Sequence, residues 1–493
     1  MSAAATRLQR YNLRRISSVG VRANSVSGEV EGHELQLATE RAVGFLLSQR
    51  FEERSCSDGR RVGIQSAMAL SPSGEGALEL YDLADGRVVE TIRPPGEAAP
   101  SEPLRDRWQR IAGQVQEQLG FPLEPELFSN MLFVAYAGTL DHPYVQRVAE
   151  ALLGTFRHSD ARGLYHFFTS LRFACDIDCT GVAARARLIL GDLELTTSRG
   201  ARELSQINSR ILRSAAVRDV PSEHNRTHGK ENGALTRHVF KVYLDDHEVQ
   251  GAEYDRGLKN NPAVVANALF PVLFELASGR RDPSELIALK EFCDGEAGPR
   301  TAEASVASIV VANLRYLRQH LLSGAWRQGC RYYGSPDAFL CFYSELLYHF
   351  GPMTPILGSP ALLANAVRER RSMRADGMEN PHGSLNLALR AVAAGNLGID
   401  RSAELRALLD SQGPAGAWED FGALYSFGSS HAPRVYFGSK ALTVALALRA
   451  FMPLDAAPPA LADDLDWLAL VRRMAADVGS APSSALAASE QGQ

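Results

Sequence analysis

The stretch FACDIDCTGVAARARLIL, residues 173–190, sets the reading of this 493-residue chain. Two acids, Asp176 and Asp178, bracket Ile177. Cys179 and Thr180 follow, and then an Ala-rich run that is apolar on nearly every side. A helix apolar all round belongs inside a protein. Asp, Ser and Thr are favoured at helix N-caps because their oxygens accept bonds from the free backbone N–H groups there. A negative charge at that end also suits the helix dipole. One cap needs one such residue, whereas three polar groups lie within five positions here, next to Phe173, Ala174 and Ile177. Carboxylates in apolar surroundings are costly unless paired or protonated. An Asp kept neutral by such surroundings can serve as a general acid. The residues alone leave both readings open, helix capping and acid chemistry.

Outward from this stretch the chain repeats one pattern. A segment with charge on one side is followed by a segment that is nearly all apolar. ELQLATERAVGFLLSQ (34–49) precedes RVGIQSAMALS (61–71), and RDRWQRIAGQVQEQL (105–119) precedes ELFSNMLFVAYAG (126–138). YVQRVAEALLGTF (144–156) precedes CTGVAARARLIL (179–190), and ARELSQINSRILRSA (201–215) precedes NPAVVANALFPVLFELA (261–277). Three further pairs join 306–322 to 335–350, 361–373 to 383–395, and 402–411 to 434–451. The first member of each pair reads as an amphipathic outer helix and the second as a buried inner one. Strand signals are few, chiefly ALELYDL (77–83) and HVFKVYL (238–244). The pattern predicts an all-α fold, a closed α/α barrel of six to seven helical hairpins, since closing a repeat into a ring buries every inner helix. Inner helices are expected near 180–190, 262–276, 336–349, 384–394 and 438–451.

Composition bounds the function. Hydrophobic residues make up 45% and the net charge is −5, so no basic field points to nucleic acid. Six scattered cysteines form no C-x-x-C pair, which argues against a zinc knuckle or a disulfide framework and suggests a reducing cytoplasm. No apolar run is long enough to span a bilayer. Residues 1–31 are expected to be a basic flexible leader, 32–455 the barrel, and 456–493 an Ala/Pro/Ser-rich tail. The leader shares its Arg-rich, acid-poor composition with organelle transit peptides.

A second motif marks the repeat boundaries. QGPAGAW (412–418) and QHLLSGAW (319–326) each place Gln before Gly and Trp after an outer helix, and GLY (163–165) is a shorter echo. Gln bonding to a neighbouring helix and Trp stacking on it would tie outer helices together.

With DIDCT and QGPAGAW together, the chain resembles the class II terpene cyclases, with their D-x-D-D-T motif and QW repeats. The resemblance implies a terpene cyclase β-domain-like barrel, with two barrels as the alternative. It also implies proton-initiated cyclisation of a linear prenyl diphosphate, farnesyl or geranylgeranyl, with the diphosphate retained. The family's acid falls on Asp178, Asp176 would orient or polarise it, and Thr180 would hydrogen-bond within the cluster. Cys179 stands where the second adjacent Asp is usual. In this it is closest to D-x-D-T-T members of the drimenyl diphosphate synthase type, which also lack an acid there. A carbocation needs aromatic walls. The candidates at inner-helix entrances are Tyr332, Tyr333, Phe339, Phe342, Tyr343, Trp418, Phe421, Tyr425 and Phe427.

The basic insertion 223–238 offers Arg226, Lys230 and Arg237 for a diphosphate, with Mg²⁺ bridging its oxygens. Arg434 and Lys440 compete for that role. DDHE (245–248) lacks the next acid of an ionising synthase, since Val249 stands there. His224, His228 and His238 have no metal-ligand spacing. The alternatives are a cyclase of a prenyl chain without diphosphate, such as a meroterpenoid, and a non-catalytic prenyl-binding barrel. The Asp/Cys/His zinc ligands of a protein prenyltransferase are absent from the pattern.

Overall fold

A computed structural model describes residues between Gly32 and Met452, leaving out 93–125, 216–236, 245–258 and shorter segments. The expected leader, 1–31, and the whole of the expected tail, 456–493, therefore fall outside the described residues. The second half of the architecture is regular. Outer and inner helices alternate: α1 (Gly32–Ser48), α2 (Phe128–Ala137), α3 (Pro143–Phe156), α4 (Ile177–Ile189), α5 (Ser198–Arg213) and α6 (Pro262–Ala277). They continue as α7 (Val306–Leu322), α8 (Pro336–His349), α9 (Pro360–Arg370), α10 (Ser384–Asn396), α11 (Ser402–Ser411) and α12 (Lys440–Phe451). Even-numbered helices pack side by side in the order α2, α4, α6, α8, α10, α12 and back to α2. Odd-numbered helices lie outside them, and α1 closes the outer layer against α3, α11 and α12. Among the described residues the fold is one ring of six hairpins.

The helices start where short polar side chains cap them. Asp176, Asn261, Ser335 and Ser439 cap α4, α6, α8 and α12, and proline stands at the first turn of α6 and α8. Every residue of α2 is buried, as are eleven of α4 from Ile177 to Arg187. The amphipathic outer helices bury one stripe, as in α5, where Leu204, Ile207, Asn208, Ile211 and Leu212 face inward. The inner helices run in one direction. Gly138 at the end of α2 lies against Ile189 and Leu190 at the end of α4. All entrances therefore share one mouth.

The lumen is packed rather than hollow below that mouth. Tyr136 on α2 reaches across to Cys341 on α8, oxygen to sulfur 3.6 Å. Arg185 on α4 pairs with Glu345 on α8, its guanidinium over the rings of Tyr136 and Phe270. The ring is clamped at its seam by the QW element. Gln412 Nε2 donates to the Ala38 carbonyl of α1 at 3.0 Å, and Trp418 Nε1 to the Leu408 carbonyl of α11 at 2.8 Å.

The expected seventh hairpin is corrected. Segment 61–71 is not an inner helix but contributes β2 (Arg61–Ile64) and β3 (Met68–Pro72), while 105–119 lies outside the described residues. The strands β1 (Glu52–Ser55), β4 (Leu78–Asp82) and β5 (Arg87–Ile92) complete this insertion, β6 (Leu286–Glu291) and β7 (Arg300–Ser305) form a hairpin before α7, and β8 (Tyr425–Ser429) and β9 (Ala432–Gly438) precede α12. An antiparallel sheet of order β5-β4-β3-β9-β8 joins the first insertion to the entrance of α12. ALELYDL is β4, as expected, whereas HVFKVYL makes only isolated bridges through Phe240 and Tyr243.

One buried ionic network fixes α8 to α11. Asp337 accepts from Arg370 at 2.9 Å and from Arg390 at 3.4 Å, and Arg390 reaches Glu404 at 3.2 Å. Asp337→Ala should take a buried carboxylate away from the guanidinium groups of Arg370 and Arg390 and cost about 3–5 kcal/mol. Urea unfolding of the variant checks this; a loss below about 1 kcal/mol contradicts the role assigned to the network.

Candidate active site

The mouth is laced by short backbone bridges between inner-helix entrances. Leu127 N–H donates to Phe167, Ile177 to Val242, Leu244 to Cys175, and Ser426 to Tyr332. These bridges hold the residues before α2, α4, α6, α8 and α12 in register around one point. Asp176 is the N-cap of α4, and its Oδ1 accepts the Cys179 N–H at 2.6 Å. Asp178 lies in the first turn. Its Oδ1 accepts from Asn267 Nδ2 at 2.9 Å and its Oδ2 from the Tyr333 hydroxyl at 2.5 Å. Thr180 Oγ1 accepts the Tyr165 N–H at 3.2 Å, holding the 163–168 segment against α4.

Asn267 reaches Asp178 because α4 and α6 approach closely. A Cβ on Gly181 would stand 2.8 Å from Ala268 Cα and 2.9 Å from the Asn267 carbonyl oxygen. Any side chain there must spread the two helices.

Asp176 and Asp178 are 2% and 1% exposed and have no arginine or lysine partner among the described residues. Burial raises Asp178 from 3.8 to about 7, the neighbouring Asp176 charge adds to this, and the bonds from Tyr333 and Asn267 oppose it. Burial also raises Asp176 to about 6, opposed by the bonds of Cys179 and by the nearby His166. Burial, helped by the three carboxylates around it, holds the Cys179 thiol well above its ordinary value. The cluster thus keeps a proton at neutrality in a place closed to water, which is what an acid catalyst acting on a weak base requires.

Aromatic rings gather above this pair. Tyr425 packs on Phe128 at 5.5 Å, Phe167 at 4.8 Å, Tyr332 at 5.6 Å and Tyr333 at 5.1 Å between centroids. Phe342 lies against Tyr333 and Phe437 against Phe167. Of the aromatics expected from sequence, Tyr332, Tyr333, Phe342 and Tyr425 come together at the acid.

Three others do not. Phe339 and Tyr343 occupy another face of α8, where Phe339 meets His320 of α7 and Tyr343 bonds to the Leu357 carbonyl. Their spacing of four residues puts both on one side of the helix, and that side looks away from Asp178. Trp418 packs on Phe451 at the far end of α12, as a clamp of the outer layer. Phe421, Arg226, Lys230, His224, His228 and DDHE fall outside the described residues. Arg237 is exposed, Arg434 lies on β9, and Lys440 is half-buried at the start of α12. Asn267, His166 and Glu126 were not singled out by the sequence reading, since each is far in sequence from the motif or carries no motif of its own.

No family model matches the chain. A stretch of 118 residues is 32% identical to drimenol cyclase drtB of Aspergillus calidoustus, covering 24% of this chain and 21% of that protein. The match thus spans about a fifth of the relative's length. Among solved structures, a protein from Actinoplanes is similar at TM-score 0.44 and 15% identity, covering 85% of this chain and 98% of that one. The type II terpene cyclase MstE from Scytonema is similar at TM-score 0.42 and 12% identity, again covering 85% and 98%. The ring described above rests on its own helix contacts and not on these superpositions.

The folded protein binds the Asp178 proton more tightly than the unfolded chain does. The stability this brings is full below about 3.8 and is lost as the pH rises through about 7. Asp178→Asn never ionises, so it should gain on the wild type by about 3 kcal/mol between about pH 5 and about pH 8. Melting temperatures of both proteins across that range test this; a pH-independent difference contradicts it.

Proposed function

We propose that the chain is a class II terpene cyclase, which protonates the terminal alkene of a linear prenyl diphosphate and closes rings through carbocations while the diphosphate stays in place. The observation that carries this reading is Asp178: buried, protonated near neutrality, and gripped by two hydrogen-bond donors with no cation beside it. In the proposed step the Asp178 O–H bond breaks as a C–H bond forms on the alkene. Tyr333 and Asn267 then stabilise the carboxylate left behind. Asp176 tunes the acid, because a charge on either carboxyl makes the other hold its proton. The faces of Tyr333, Tyr425 and Phe167 offer π density to the moving cation without capturing it. The last cation loses a proton, so the reaction is an isomerisation overall.

Two observations favour the fifteen-carbon farnesyl chain over the geranylgeranyl chain. Cys179 gives the motif the non-acidic fourth position of drimane-forming cyclases, and the relative sharing 32% identity is named a drimenol cyclase. Arg226, Lys230 and Arg237, or Arg434 and Lys440, are the proposed diphosphate ligands. Among the described residues no group of three or more His, Cys, Asp or Glu is arranged for a metal. The proposed Mg²⁺ would be held by the diphosphate oxygens as their counter-ion.

Incubation with farnesyl or geranylgeranyl diphosphate and Mg²⁺, phosphatase treatment and mass analysis should reveal a cyclised alcohol, more of it from farnesyl. Asp178→Asn should lower kcat by about a thousandfold or more with the fold retained, and Asp176→Asn by less. Wild-type kcat should fall as the pH rises through about 7, where Asp178 loses its proton. Full cyclisation by Asp178→Asn refutes the mechanism.

A further inference from the structure

Six arginines are buried among the described residues: Arg185, Arg187, Arg281, Arg370, Arg390 and Arg449. Five of them meet a carboxylate: Arg185 meets Glu345, Arg187 Glu203, Arg281 Glu275, Arg370 Asp337 and Arg390 Glu404. Arg449, 9% exposed in the last turn of α12, meets none among the described residues. Its guanidinium lies over the Tyr348 ring of α8, 5.7 Å from the centroid. A guanidinium taken out of water with no anion beside it is costly.

A second arginine stands next to it. Arg401 is the N-cap residue of α11, and its Nη2 donates to the Met452 carbonyl at 2.8 Å. Met452 caps the C-terminus of α12, three residues beyond Arg449. The other prong of the Arg401 fork, Nη1, is buried and has no hydrogen-bond partner. Burial and the Arg449 charge hold Arg401 down at about 10, and no carboxylate offsets them.

The acids in the neighbourhood are engaged elsewhere. Glu345 pairs with Arg185 and accepts from Asn396 at 2.7 Å. Glu404 is shared by Arg371 and Arg390, and Asp400 accepts from the N–H and hydroxyl of Ser402. Burial holds His349, beside Glu345, below its ordinary value, so it adds no charge at neutrality. The free carbonyls at a helix C-terminus favour one cation. Arg401 answers them through Met452, and Arg449 is then a second positive charge with no counterpart.

We propose that Arg401 and Arg449 form an oxyanion site at the end of the ring opposite the mouth, and that its ligand is inorganic phosphate. The planar guanidinium fork matches phosphate oxygens, and such bonds are charge-assisted. One phosphate oxygen accepts from Arg401 Nη1 and another from the Arg449 guanidinium. Arg449 is nine-tenths enclosed and Arg401 Nη1 fully so, which suits a small free anion rather than the head of a larger molecule. The bound ion joins the start of α11 to the end of α12, and both helices pack on α1 at the seam where the ring closes. The site is separate from Asp178 and stands or falls independently of the cyclase reading.

Isothermal titration of the whole protein with inorganic phosphate tests the proposal, with chloride at equal ionic strength as the control. Phosphate should bind and raise the melting temperature, and chloride should do neither. Arg449→Gln and Arg401→Gln should each weaken binding by about tenfold or more, the loss of one charge-assisted contact. Lys440→Gln, at the mouth, should leave the affinity unchanged. Hydrogen exchange of the wild type locates the ion without any variant having to fold. Phosphate should slow exchange of the amides in 401–411 and 444–452. No binding, an equal effect of chloride, or protection confined to the mouth overturns the proposal.

Discussion

The two hydrogen bonds that Asp178 accepts, from Tyr333 and from Asn267, tie the entrances of α4, α6 and α8 to one carboxyl group. Much of the mouth is arranged so that they can exist. Gly181 lets α4 and α6 approach until Asn267 is in reach. The bridge from Ser426 to Tyr332 braces the loop that carries Tyr333. Rings of Phe128, Phe342 and Tyr425 enclose the Tyr333 side chain, so its hydroxyl has one direction to point. A carboxyl in that setting is stable mainly as the neutral acid, because burial penalises the charge and no cation compensates it. Elsewhere the ring solves the same problem with arginine. The Asp337 network shows that the chain can bury an acid for architecture alone, and that it then supplies two guanidinium groups.

The sheet adds a second constraint on the mouth. β9 leads directly into α12 and pairs with β3 in the insertion after α1. Phe437 leaves β9 to pack on Phe167 and Phe168, and Tyr425 begins β8. Two rings of the aromatic cover over the acid, Tyr425 and Phe437, are therefore supplied by a sheet whose strands come from both ends of the ring.

Much of the ring was legible in the sequence because the two helix layers face different solvents. Outer helices must be amphipathic, as α5 is, and inner ones apolar all round, as α6 is, so the alternation survives as pattern. The pattern misled where an apolar run was short. RVGIQSAMALS has the composition of a buried helix and the length of two strands, and short apolar runs do not distinguish the two. The acid motif was legible because its residues are neighbours in sequence. Its partners were not. Asn267 lies 89 positions from Asp178 and Tyr333 155, and only the closure of the ring brings them together. Residue type near an entrance points to Phe339 and Tyr343 as readily as to Phe342. Helix phase, which depends on where α8 rests against its neighbours, turned them outward and turned Phe342 inward.

The clamp from Gln412 to the Ala38 carbonyl joins residues 374 positions apart. It has a consequence for the order in which the molecule can assemble. α2, apolar on every face, needs α12 as one of its two flanking neighbours, and α1 needs α11 and α12. During synthesis from the N-terminus, those faces wait for nearly the whole ring to be made. The nascent chain is an open arc with two apolar edges, which is the situation that exposes large proteins to misassembly. The meeting of the two edges must come late, because it closes a loop of nearly the whole described chain.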